Sequence, residues 1–210
     1  MTSPIWLFDL DDTLHNASAH IFPEMNQAMT RYIMSHLGLD AHEAHQLRQH
    51  YWHVYGATLK GLVRHHGIEA THFLEETHAL MDLPNMVIQV QRLKQVLQSL
   101  PGRKCVFTNA PKSYALRVLD LMGLNPCFEL IFSVESAKFH AKPSVRGFNL
   151  LLDTLQVRPK RCIMVEDSLP ALMTAKRLGM RTVWVTQQLR KPNFVNYRLS
   201  SVLALRHLKL

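Results

Sequence analysis

Short, unbroken apolar runs recur along the chain at 5–8, 104–107, 130–134, 162–165 and 182–185. Each is rich in β-branched or aromatic side chains, as expected of strands covered on both faces. Between the later runs the apolar positions change to helical spacing. Ala115, Val118, Leu119 and Met122 form one stripe, with Gly123 as its stop. Phe148, Leu151, Leu152 and Leu155 form a second behind Ser144, and Ser168 opens a third that ends at Gly179. Strands alternating with helices predict an α/β fold, a parallel sheet wrapped by helices.

Residues 16–86 break the alternation. Met25, Met29, Tyr32 and Ile33 make a helical stripe closed by Gly38. Asp40 and Glu43 have capping-box spacing for a second helix ending near Gly56. The spacing predicts a third helix over 58–66 and a fourth over 70–81, with Pro84 as a stop. A helical insertion over 16–86 is therefore expected, with 1–15 and 87–210 forming the sheet domain. Val87, Val90, Leu93, Val96 and Leu97 lead back to the sheet through the Pro101-Gly102 turn.

The chain has 210 residues, 47% of them hydrophobic and 19% charged, which is a globular composition. No apolar run reaches the roughly 18 residues of a membrane span. The first run stops at Asp9 without a basic segment before it, so neither a membrane nor a secretory signal is expected. Three scattered cysteines suit a reducing cytoplasm. The net charge of +8 is uneven, with −4 over residues 1–100 and +12 over 101–210. A basic half attracts anions, phosphate esters included. No basic run or nucleic-acid motif accompanies it, so no nucleic-acid partner is expected. Eleven of the 13 histidines lie between His15 and His78. His42-Glu43-Ala44-His45 is one residue short of a zinc-protease helix, and exposed helical histidines are expected.

The ends of the strands carry the chemistry. The first runs into Asp9-Leu10-Asp11-Asp12-Thr13, where Asp9 and Asp11 are two apart and face the same way on an extended chain. Taken alone, this string reads equally as an acidic turn or a catalytic pair. The second strand ends in Thr108-Asn109 and the fourth in Glu166-Asp167, and Lys142 follows the third. Ligands of open α/β sheets bind at this carboxyl edge. Oxygen-rich carboxylate clusters suit Mg²⁺, and Lys142, Thr108 and Asn109 can hold phosphate oxygens.

With these residues in order, the chain resembles the haloacid dehalogenase-like phosphohydrolases. The shared motifs are D-x-D-x-T at Asp9–Thr13, Thr108, Lys142 and the pair Glu166 and Asp167. The resemblance implies an α/β doubly wound, Rossmann-like core and a helical cap at 16–86 that closes over the site. It implies Asp9 as nucleophile, Asp11 as acid and base, and Thr108 and Lys142 on the phosphoryl group. It implies Mg²⁺ held by Asp9, the Asp11 backbone carbonyl and Asp167, with Glu166 reaching it through water. Thr13 would order the loop, and Asp12 would have no role. Asp11 argues against a dehalogenase, whereas a phosphomutase shares both aspartates.

A narrower resemblance is to the pyrimidine 5′-nucleotidase branch, carried by FDLDDTLH, ASAHIFPEMN, YWHVYGATLKGL and VEDSLPALMTAKRLGMRTVWV. Many relatives of that branch read D-N-T-L-Y where this chain has Asp12-Thr13-Leu14-His15. The implied substrate is a pyrimidine nucleoside monophosphate, with phosphoglycolate or sugar phosphates as the alternative. Tyr51, Trp52, Tyr55 and Thr58 are the candidate specificity residues. Tyr51 and Tyr55, one turn apart, equally read as packing of the helical insertion.

Overall fold

The computed structural model of the chain describes residues 3–208. The chain divides into two compact units, residues 1–17 with 87–210, and residues 18–86. The insertion thus begins two residues later than the sequence suggests, since the buried Ala17 belongs with the first unit.

The first unit is built on six parallel strands: β1 (Ile5–Phe8), β2 (Arg103–Phe107), β3 (Leu130–Phe132), β4 (Cys162–Glu166), β5 (Arg181–Val185) and β6 (Tyr197–Leu199). Their order is β3-β2-β1-β4-β5-β6. The chain steps outward from β1 through β2 to β3, then crosses to the other side of β1 as β4. That reversal is a topological switch point, and it leaves a crevice beyond the carboxyl end of β1, between β2 and β4. Five strands match the apolar runs. β6 has only three half-buried residues at the sheet edge, too few for any periodicity.

Ile5 and Leu7 lie in one core cluster with Cys105, Phe107, Phe148, Leu151, Leu172 and Trp184. Burying such side chains contributes roughly 1.5–3 kcal/mol each, which fixes β1 at the centre of the sheet.

The helical unit contains α1 (Ile21–Leu37), α2 (Ala41–Tyr55), α3 (Thr58–His66), α4 (Ala70–His78) and the single turn α5 (Leu83–Met86). Asp40 caps α2 in a full capping box, with Glu43 N donating to its Oδ1 at 2.9 Å and Asp40 N donating to Glu43 Oε2 at 3.0 Å. α4 stops three residues short of the expected Met81. Gly61 faces the Tyr51 ring so closely that a Cβ there would overlap its Cγ, so the missing side chain is what lets α3 pack on α2.

Around the sheet lie α6 (Leu93–Ser99), α7 (Lys112–Leu121), α8 (Val145–Leu155) and α9 (Leu169–Arg177). Val87 and Val90 precede α6 and are not helical. Neither Ser144 nor Ser168 caps its helix through the side chain. In α8, a Cβ on Gly147 would collide with the His140 carbonyl oxygen. That close approach seats the helix against the loop that carries Lys142.

Candidate active site

Beyond β1 the chain makes a tight hook. Asp9 N donates to Val165 O at 2.9 Å, extending the sheet by one bond. Leu10 and Leu14 are fully buried, and Leu14 N donates to Leu10 O at 2.9 Å. Asp12 sits at φ 60, a conformation that Asp tolerates better than most residues, and Asp11 bridges back to His15. The alternation Asp9-Leu10-Asp11 therefore sends the leucine inward, while Asp9 lies buried and Asp11 half-buried at the strand end.

Asp9 is joined there by the ends of β4 and the loop after β3. Lys142 Nζ donates to Asp9 Oδ1 at 2.6 Å and to Glu166 Oε2 at 2.7 Å, and all three side chains are at most 9% exposed. Glu166 Oε1 accepts from Ser168 N at 3.1 Å. Carboxylate oxygens of Asp9, Glu166 and Asp167 lie within 4.8 Å of one another. Trp184 Nε1 donates to Asp167 O at 2.7 Å, so β5 anchors the backbone of the third acid.

Two of the three carboxylates, Asp9 and Glu166, thus share one ammonium. Burial, followed by the Glu166 charge, pushes the Asp9 carboxyl up to about 7 despite Lys142. Burial likewise raises Glu166 to about 7, and it raises Asp167. Burial works against the Lys142 ammonium, but Asp9 and Glu166 outweigh it and push its pKa up, so the lysine stays charged.

Asn109, expected on phosphate, has its side chain committed elsewhere. Its Oδ1 accepts from Lys142 N at 2.7 Å, and its Nδ2 donates to Lys142 O at 3.0 Å. The side chain clamps the lysine backbone, a role with no local signal in the sequence. Thr108 is buried, and its Oγ1 accepts from Ala110 N at 3.0 Å. Thr13 Oγ1 is buried without a hydrogen-bond partner, so its hydroxyl does not tie the hook. Asp12 has bonding of its own and sits at the turn.

Two residues at the site were missed by sequence reasoning. His15 Nε2 lies 2.9 Å from Asp11 Oδ1, and Tyr114 OH donates to the same oxygen at 2.7 Å. His15 stands four residues after Asp11, a readable spacing. Tyr114 is 103 residues away in sequence, and nothing local announces it.

In the helical unit, Tyr51 is buried, with its hydroxyl 2.7 Å from His66 Nε2 and its ring stacked on His65. Thr58 is buried and donates to Arg48 O at 3.2 Å. Both serve the packing of that unit. Tyr55 is partly exposed, with its hydroxyl 2.6 Å from His65 Nε2, and Trp52 is 61% exposed. Among the described residues, no histidine cluster with metal-ligating geometry occurs. Burial pushes the Cys105 and Cys162 thiols up to about 12 and about 11, so neither is a nucleophile at neutral pH.

The model of the haloacid dehalogenase-like hydrolases matches residues 5–179, from the start of β1 to two residues past α9. The chain belongs to this family. Among curated proteins it is 27% identical over 138 residues to Phosphate metabolism protein 8 of Saccharomyces cerevisiae, covering 60% of this chain and 41% of that protein. Two further relatives are matched over 51% and 58% of their lengths, so the chain spans about half the length of these first relatives. Among solved haloacid dehalogenase-like structures, a phosphatase from Thermococcus onnurineus superposes with a TM-score of 0.67 at 22% identity, covering 98% of this chain and 97% of that one. The hydrolase YfnB of Bacillus subtilis, solved bound to magnesium, superposes with a TM-score of 0.66 at 19% identity, covering 99% and 98%. No helix among the described residues is long and apolar enough to cross a membrane.

Proposed function

We propose that this chain is a Mg²⁺-dependent phosphomonoesterase working through an aspartyl-phosphate. The observation that carries the reading is the convergence of the Asp9, Glu166 and Asp167 carboxylates within 4.8 Å of one another, with the Lys142 ammonium bonded to the first two. The donor set fits a hard divalent cation: all oxygen, with more negative charge than one lysine offsets. Asp9, Asp167 and the Asp11 backbone carbonyl would hold it. Both Glu166 oxygens are already engaged by Lys142 and Ser168, which favours contact through water. The cation would neutralise charge between nucleophile and phosphate.

Asp9 attacks phosphorus in line, forming the carboxyl–phosphorus bond as the ester P–O bond breaks. Asp11 gives its proton to the departing alkoxide. It then takes a proton from the water that displaces Asp9 and releases phosphate. Lys142 and the Thr108 hydroxyl hold the phosphoryl oxygens, and Asn109 keeps the lysine in register.

The carboxyls of Asp9 and Glu166 rise to about 7, so protons compete with the cation below that pH. Mg²⁺ should therefore bind more tightly at pH 8 than at pH 6, by about tenfold or more, with proton release on binding. Calorimetry in two buffers of different ionisation enthalpy measures both. Asp167→Ala should raise the Mg²⁺ needed for half-activity more than Glu166→Gln does.

The proposed substrate is a pyrimidine nucleoside monophosphate, resting on the strings shared with that branch. Trp52 and Tyr55 offer the ring surface open to a base, whereas Tyr51 and Thr58 are turned inward. A phosphate-release screen over UMP, CMP, AMP, GMP, phosphoglycolate and sugar phosphates, with and without Mg²⁺, tests both levels. The expected result is Mg²⁺-dependent release with kcat/KM highest on UMP and CMP. Preference for sugar phosphates or phosphoglycolate would replace the substrate and spare the chemistry. EDTA-insensitive release would overturn the metal.

A further inference from the structure

We propose that His15 and Tyr114 are positioning residues for Asp11, holding its carboxyl through one oxygen so that the other delivers the proton to the leaving group. The inference rests on the phosphomonoesterase reading above and deepens it. The two side chains come from different elements, the hook after β1 and the helix α7. Both bonds fall on Oδ1, from His15 Nε2 at 2.9 Å and from Tyr114 OH at 2.7 Å. A carboxylate oxygen only accepts, so the imidazole donates from Nε2. Oδ1 with two donors is the oxygen without a proton, and Oδ2 is the atom that carries and transfers it.

Burial makes the arrangement stiff. His15 is 3% and Tyr114 1% exposed. The His15–Asp11 contact coincides with the backbone bridge that closes the hook, so ring and main chain are held together. Tyr114 sits on the inward face of α7 beside the buried Ala115 and Val118. Burial and the adjacent Asp11 charge push its phenol pKa up, which keeps it a donor. A half-buried carboxyl on a short side chain rotates unless something fixes χ2, and a proton donor off-line by about 1 Å can lose about 100-fold. Two rigid donors on one oxygen remove that freedom.

The test exploits the leaving group. An alkoxide leaves only with a proton, whereas 2,4-dinitrophenolate leaves without one. kcat/KM reports the steps up to release of the first product, so it isolates this proton transfer from the later hydrolysis of the aspartyl-phosphate. Tyr114→Phe, which keeps the ring, and His15→Gln, which keeps a donor but not its geometry, are compared with the parent on glycerol 2-phosphate and 2,4-dinitrophenyl phosphate. The expected result is a loss of about 10-fold or more on the alkyl ester and less than about twofold on the aryl ester. In an Asp11→Asn background, Tyr114→Phe should add no further loss on the alkyl ester. Equal losses on the two esters would make the pair a purely structural support and overturn the inference, as would no loss on either. A parent chain that releases phosphate from neither ester with Mg²⁺ would instead overturn the phosphomonoesterase reading, and this inference with it.

Discussion

Asp9→Asn should lower phosphate release by about 10⁴-fold or more, since an amide cannot form the covalent bond to phosphorus and the remaining groups act only around it. The substitution is nearly isosteric, so the fold should persist. Its effect on stability runs opposite to its effect on activity. The Asp9 carboxyl stands at about 7 in the folded chain against 3.8 for an ordinary aspartate. The folded state therefore binds more protons than the unfolded state between those values, and the parent loses stability as pH rises toward and through 7. An amide has no such titration. In the absence of metal, Asp9→Asn should melt higher than the parent at pH 8, with the difference shrinking toward pH 5. Thermal melts at the two pH values, beside a phosphate-release assay, measure both. Near-parental turnover, or a lower melting point at pH 8, would contradict the placement of Asp9 as a buried, catalytic anion.

Lys142→Met should be the most damaging substitution to stability. The ammonium is the shared partner of Asp9 and Glu166, both buried. Removing one member of a buried ion cluster typically costs about 3–5 kcal/mol, because the other charges stay desolvated and unpaired. For a chain of this size that is a fall in melting temperature of roughly 10 °C at pH 8. The loss should shrink as pH falls below 7, where the carboxyls take up protons and no longer need the ammonium. Phosphate release should fall by about 10²-fold or more even where the variant is folded, since a cation facing the phosphoryl oxygens is gone. Lys142→Arg is the control: it keeps the charge, but its larger planar head does not fit the site where Nζ touches two carboxylates at 2.6 and 2.7 Å. It should recover stability at pH 8 in part and activity scarcely at all. Urea or thermal denaturation against pH separates these outcomes.

Both expectations rest on the excess of buried carboxylates over ammonium groups at this site. Three acids are gathered at the carboxyl edge of one sheet, two of them paired with Lys142, and burial raises all three carboxyls. Such a cluster persists only because the core beneath β1 is well packed, with Ile5, Leu7, Phe107 and Phe148 in one cluster. A bound divalent cation would offset the excess negative charge.

The sequence by itself determined most of the architecture. Five of the six strands and the run of helices after the first of them follow from apolar runs and helical spacing, because fully buried strands and amphipathic helices leave periodic traces; the strand order, with its switch between β1 and β4, is decided by the tertiary structure. The acids at strand ends were legible for the same reason: a charged residue directly after a buried run must lie at the sheet's edge. Only the tertiary structure decided what those residues do to one another. β6 and α5 are too short to carry a period. Ser144 and Ser168 have the right residue type for caps, yet their side chains make no capping bond. The Asn109 side chain is committed to the Lys142 backbone, 33 residues on, and Tyr51 and Thr58 are drawn into the helical unit. Tyr114 reaches Asp11 across 103 residues. A hydrogen bond between distant segments leaves no local pattern, since each side chain satisfies its own helix or loop equally well with or without the partner. Only the packing of α7 against the sheet brings the phenol to the acid.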